Sequence, residues 1–207
     1  MKKFCVALII VLCSAWANAK SLNLQKYTLF NGDEPRHIEH KYYGFYGVVD
    51  YTFLTNFNNT EFQDKYTLNG ATFVGGFQWR RQSGVGIGFS YLNDANKSFS
   101  QLPVFLELRS HYLRSRLTPY TTLQLGYAIP FKSSNATEDY VKILKGGVTF
   151  GVSVGLRFAV SRGFAFHLGA GYQFISNRLI ERGVNGDPAI RRSELFHNLS
   201  VNVGVNF

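Results

Sequence analysis

Leu199-Ser200-Val201-Asn202-Val203-Gly204-Val205-Asn206-Phe207 closes the sequence. Leu199, Val201, Val203, Val205 and Phe207 fall on one side of the run. Asn198, Ser200, Asn202, Gly204 and Asn206 fall on the other. Side chains of an extended chain point alternately to opposite sides. The stretch therefore reads as a strand, Leu195 to Phe207, with one apolar and one polar face.

Seven earlier segments alternate in the same way. Lys41 to Leu54 carries Tyr43, Phe45, Val49, Tyr51 and Phe53 in phase, and Leu68 to Arg81 carries Ala71, Phe73, Phe77 and Trp79. Gly84 to Leu92 presents Val85, Ile87, Phe89 and Tyr91, and Ser100 to Tyr112 presents Leu102, Val104, Leu106 and Leu108. Pro119 to Pro130, Gly146 to Val160 and Phe164 to Ile175 complete the set. Each is about as long as a tilted strand needs to cross a bilayer core, roughly 9–11 residues. The pattern predicts an all-β fold, a closed antiparallel up-and-down transmembrane barrel of eight strands, in which closure removes unpaired edges.

The connections alternate in length. Arg81 to Gly84, Leu113 to Thr118 and Ser161 to Gly163 are short, whereas Asn56 to Lys65, Asn93 to Phe99, Phe131 to Lys145 and Ser176 to Glu194 read as longer polar loops. Barrels of this kind turn tightly on the periplasmic side and carry long loops outside. Both termini are then expected in the periplasm, with Lys20 to His40 a periplasmic segment before the barrel.

A soluble barrel would alternate equally well, with its apolar face inward. Two features favour lipid outside. The polar face is rich in glycine, including Gly70, Gly76, Gly86, Gly88, Gly126, Gly151, Gly155, Gly169, Gly171 and Gly204, which suits a crowded wall. The apolar face ends in aromatics at both rims: Trp79, Phe158, Phe164 and Phe207 at one, Tyr91, Tyr127, Tyr172 and Phe174 at the other.

The front of the chain fits export. Met1-Lys2-Lys3, the apolar run Phe4 to Leu12 and the site Ala17-Asn18-Ala19 form a secretory leader, with cleavage expected after Ala19. Cys5 and Cys13 leave with it, which excludes disulfides and Cys-based chemistry from the mature barrel. No later apolar run is long enough for a membrane helix, and mean hydropathy is −0.07, because the polar face cancels the apolar one. The net charge of +9 would suit nucleic acid. For an exported barrel the better partner is the phosphate of lipopolysaccharide, and no nucleic acid is expected.

The run Leu102-Pro103-Val104-Phe105-Leu106, followed by Arg109, Leu117-Thr118-Pro119-Tyr120 and Leu125-Gly126-Tyr127, resembles the small outer-membrane β-barrel proteins of Bacteroidetes, among them porin-family and OmpA/OmpX-like barrels. Tyr43-Gly44-Phe45-Tyr46 and Val49-Asp50-Tyr51 are similar to the first strand of that group. The resemblance spans the mature chain. It implies the barrel fold, an outer-membrane location, and a terminal strand (Leu199, Val201, Val203, Val205, Phe207) that serves as the signal for the barrel-assembly machinery. It carries over no catalytic, cofactor-binding or ligand residues. No peptidoglycan-binding domain follows, so an OmpA-like wall anchor is not expected.

Candidate functional residues fall in two places. The polar face includes Asp50, Gln78, Arg80, Glu107, Arg109, Gln124, Arg157, His167, Gln173 and Asn202. An eight-stranded barrel has room inside only for side chains, and buried charge must be paired. Asp50 and Glu107 are therefore expected to compensate Arg80, Arg109 and Arg157, with His167 in the same network. The alternative is a narrow conduit for small ions or solutes, whose arginine excess would favour anions. The second place is the longest loop, where Arg178, Arg182, Arg191 and Arg192 surround Asn185-Gly186-Asp187-Pro188, a surface for lipopolysaccharide or an outside partner. An outer-membrane lipid-modifying enzyme is a weaker reading, because Ser110 and His111 fall on opposite faces of one strand and His197 lies on another. His37 and His40, three apart, read as solvated rather than metal-binding. The expected protein is a monomer with no metal or cofactor.

Overall fold

The computed structural model describes residues 43–57, 67–80, 83–94, 100–113, 115–132, 134–136, 140–161, 163–183 and 190–207. The leader, the segment 20–40 with His37 and His40, and the turn at 185–188 lie outside the described residues, as does the side chain of Arg182.

Ten strands form one sheet: β1 (Gly44–Asn56), β2 (Thr67–Arg80), β3 (Ser83–Asp94), β4 (Ser100–His111), β5 (Leu117–Lys132), β6 (Ser134–Ala136), β7 (Tyr140–Lys145), β8 (Gly147–Ala159), β9 (Ala165–Gly183) and β10 (Ile190–Asn206). Eight of them, β1 to β5 and β8 to β10, follow each other antiparallel, and β10 returns to pair with β1 from Val48↔Asn206 to Asn56↔Asn198. The predicted closed eight-stranded barrel is the fold. At the seam, Gly47 and Phe207 exchange both backbone hydrogen bonds, at 2.7 and 2.9 Å. The Phe207 ring occupies the space that a side chain at position 47 would need.

The expected loops at 131–145 and 176–194 differ from the structure. β6 and β7 form a small hairpin in the first, and β7 adds itself to β9 from Tyr140↔Gly183 to Lys145↔Arg178. The second is largely the outer half of the β9–β10 hairpin, paired out to Ile190↔Glu181. Strands that project past an apolar band meet water on both faces. They need no apolar side, so their sequence carries no alternation.

The wall is apolar outside. Phe45, Ile87, Leu106, Leu125, Leu168, Leu199 and Val203 are all exposed, and the polar-phase residues between them are inside. A continuous exposed band of this kind is unfavourable in water and matches lipid. The β3–β4 ladder is interrupted within the wall. Between Phe89↔Val104 and Leu92↔Gln101, β3 and β4 leave Ser90 and Tyr91 without partners in the ladder, opposite Pro103, which has no N–H to donate.

A barrel held by this ladder resists SDS until heated. The unboiled protein is expected to migrate differently on an SDS gel from the boiled protein. Identical migration in both lanes would contradict the membrane barrel.

Candidate functional site

The lumen is filled in three tiers between the short-turn end and the long-hairpin end. The first is charged. Arg109 Nε donates to Glu107 Oε1 at 2.8 Å, and Gln124 Nε2 donates to Glu107 Oε2 at 2.9 Å. The Arg109 guanidinium lies 5.3 Å from the centre of the Tyr120 ring, and that ring meets His167 edge-on at 5.7 Å. His167 Nε2 in turn lies 2.5 Å from Asp50 Oδ1. Asp50, Glu107, Arg109 and His167 are all buried, and charge buried in this way is tolerated only beside partners.

Sequence alternation placed these residues inside; their partners are set by the closed barrel. Asp50 on β1 reaches His167 on β9 across the intervening β10. It passes over Gly204, where a Cβ would collide with Asp50 Oδ1. Arg157 is inside as expected, and its Nη2 donates to Asn206 Oδ1 at 3.2 Å.

Arg80 is a correction. The β2–β3 register shifts between Gln78 and Arg80 at the rim, and Arg80 is exposed while Gln78 stays buried. Among the described residues the buried charges are then the carboxylates Asp50, Asp94 and Glu107 and the guanidiniums of Arg109 and Arg157, with three histidines. The arginine excess, and with it the expected preference for anions, is not found there.

The second tier is neutral and polar. Thr72 Oγ1 lies 2.8 Å from Thr52 Oγ1 and 2.7 Å from Ser90 Oγ, and Thr122 is hydrogen-bonded to Ser153. Gln173 Nε2 donates to Thr149 Oγ1 at 3.3 Å. Thr52, Thr72, Ser90, Gln124, Ser153 and Gln173 border a cavity of about 20 Å³. A water needs roughly 10–15 Å³ on this measure, so the space holds about one.

The third tier is an apolar septum. Leu54, Leu68, Leu92, Ala128, Ile175 and Phe196, from six of the eight wall strands, pack into one cluster, each no more than 1% exposed. The other two strands contribute Gln101, opposite Leu92, and Gly147, opposite Ala128. Sequence reasoning missed this layer. Phe196 is the available signal for it, an aromatic on the polar phase of its strand, as Phe105 and Tyr120 are lower in the lumen. Phe105 is buried with Val48 and Val74, over Gly88, whose missing Cβ leaves space for its ring.

On the outside, the long-hairpin end carries exposed Arg178, Arg191 and Arg192 and exposed Lys145. They stand on paired strands rather than in a loop. Below them His197 is only 8% exposed although it lies on the outward phase. Tyr172 hydroxyl is bonded to its Nδ1, and the rings of Phe174, Tyr172 and Phe57 lie 5.4, 6.0 and 6.3 Å from it. His111 is inside the barrel and Ser110 is on the other phase, as the alternation predicts.

No protein-family model matches the sequence, and no curated protein matches it. Among the solved structures that share the fold are three outer-membrane proteins. OprG, an outer membrane protein from Pseudomonas aeruginosa, superimposes with a TM-score of 0.59 at 14% identity, over 82% of this chain and 97% of that one. Neisserial surface protein A gives 0.59 at 13%, over 79% and 96%, and AlkL, solved in lipid bilayers by solid-state NMR, gives 0.57 at 12%, over 86% and 96%. The chain has the fold of small eight-stranded outer-membrane β-barrels.

Proposed function

We propose that the protein is an integral outer-membrane scaffold, closed to solutes, that works through its hairpin end in contact with lipopolysaccharide or a partner outside the cell. The septum carries this reading: an apolar layer one packed cluster deep separates the polar lumen from the long-hairpin end. Dry apolar constrictions of this kind block ions by excluding their water. Below it the cavity among the hydroxyls has room for about one water.

In this reading Met1 to Ala19 is the export leader, and residues 20–40 and both termini lie in the periplasm. The strand ending Leu199, Val201, Val203, Val205 and Phe207 is the element engaged by the assembly machinery, and the barrel acts as a monomer without catalysis. The motif at Leu102 to Leu106 supports kinship with the Bacteroidetes barrels. Planar-bilayer recording of heat-modifiable protein tests closure, and a silent bilayer is the expected result. Discrete steps would instead favour a narrow conduit, which the hydroxyl chain Thr52–Thr72–Ser90 and its cavity would then line.

The basic hairpin gives a second test. Arg191→Gln with Arg192→Gln is expected to weaken lipopolysaccharide binding, by about 1 kcal/mol per lost cation near an anionic surface. The loss should shrink as salt screens exposed charge. Equal binding by variant and parent at low salt would remove these residues from the contact.

A further inference from the structure

Position 197 is an anomaly in the wall. It lies on the outward phase, opposite Phe174, yet it is a histidine among apolar and aromatic neighbours and is almost covered. Ionisable groups facing lipid are costly and mark sites. Three rings and a tyrosine hydroxyl hold this one, from two places in the chain: Phe57 just after β1, and Tyr172 and Phe174 on β9. With Nδ1 engaged by Tyr172, Nε2 is the atom left to meet a ligand.

Outward-phase positions above it form a column. Phe174 and His197 are followed by Ser176 and Leu195, then by Arg178 and Ser193, with Lys145 beside Arg178, and then by Ile180 and Arg191. Four residues of strand rise by about 13 Å, or about 9 Å along the membrane normal at a tilt near 45°. Headgroup regions are roughly 5–8 Å thick on each side of the core. If Tyr172, Phe174 and His197 mark the lipid–water boundary, Lys145 and Arg178 stand about 9 Å above it, at the outer edge of the headgroups, and Arg191, six residues from His197, about 14 Å above it, within reach of a larger glycolipid head.

We propose that this sector of β7, β9 and β10 is a built site for one phosphorylated glycolipid of the outer leaflet. Its phosphate meets Lys145, Arg178 and Arg191, its sugar packs on the Phe57–Tyr172–Phe174 rings, and His197 Nε2 binds a polar group of its head. Charge complementarity selects the phosphate, and the aromatic floor selects a sugar over a bare glycerol head. The assignment rests on the reading that the long-hairpin end faces out of the cell.

The test is native mass spectrometry of the full-length refolded barrel, from neutral phosphatidylcholine micelles containing bisphosphorylated lipid A, its dephosphorylated form, or phosphatidylglycerol. One retained lipid A per barrel is expected, with little of the other two. Arg178→Gln with Arg191→Gln should lower retention about thirtyfold, from about a fivefold loss per cation. His197→Phe keeps a ring in the pocket and should lower retention about tenfold through the lost hydrogen bond. Tyr172→Phe, which frees Nδ1, should lower it less. Heat modifiability confirms that each variant is folded, and Tyr172→Phe decides the matter if His197→Phe does not fold.

Retention unchanged in both ring variants but reduced in the arginine pair would overturn the built site and leave diffuse contact by the hairpin. Retention unchanged in every variant would overturn both. Equal retention of lipid A and phosphatidylglycerol would also overturn the site.

Discussion

Phe196→Ala combined with Leu92→Ser will turn a silent barrel into a conducting one. Both side chains are no more than 1% exposed and belong to one septum on strands β10 and β3. Phe196 is the largest side chain in it, and its removal opens space that the surrounding leucines refill only in part. The serine hydroxyl then joins the amide of Gln101 opposite it as a partner for water, which favours filling over drying. Below lies a tier of hydroxyls and amides that can hydrate an ion path. Because the described buried carboxylates outnumber the guanidiniums, the opened path should not favour anions.

Planar-bilayer recording reads the result, with reversal potentials in a salt gradient. The double variant is expected to raise conductance at least tenfold over the parent background, while Ile87→Ser, a change on the outer wall, does not. A heat-modifiable double variant that stays silent would place the barrier elsewhere in the lumen. Preference for anions would mean that Arg109 and Arg157 outweigh their carboxylate neighbours.

The second large effect concerns stability. His167→Leu is expected to destabilise the barrel by about 3–5 kcal/mol, since it leaves Asp50 as a buried charge without its close partner. Asp50→Leu combined with His167→Leu should recover most of that loss, because a well-packed apolar pair can equal a buried ionic one. Reversible urea unfolding in lipid vesicles, followed by intrinsic tryptophan fluorescence, measures both. The pair spans β10, so its loss loosens the seam rather than a single hairpin. Additive losses in the double variant would show that the two residues act independently in the folded barrel.

Much of the wall was legible because a membrane barrel imposes one repeated rule, lipid on one side of every strand. That rule placed Phe45, Leu106 and Val203 outward and Asp50, Glu107, Arg109, Arg157 and His167 inward, without a three-dimensional argument. It failed where the rule is not enforced. Beyond the apolar band, β9 and β10 are wet on both sides, so Arg178 and Arg191 read as loop. At the rim, a register shift after Gln78 removed Arg80 from the lumen.

Partner choice was not legible at all. Asp50 meets His167 because of how the ring closes and because Gly204 leaves a passage. Neither fact is local to either residue. The septum was hidden for a related reason. Leu54, Leu68, Leu92, Ile175 and Phe196 each lie near an end of the predicted apolar segments, where one inward apolar residue looks like fraying of the pattern. Only the closed ring shows that they meet.

The pairing of Gly47 with Phe207 has a kinetic consequence. The other wall junctions join strands close in the chain, the widest spanning the β6–β7 hairpin between β5 and β8, and form at lower contact order. The seam joins the first wall strand to the last and bears the full entropy of closing the loop between them. Until it forms, the sheet has two open edges, and open edges recruit other chains. Slow closure and fast aggregation therefore compete for the same intermediate. Shortening the chain by its last residue should tip that competition before it measurably changes the finished barrel.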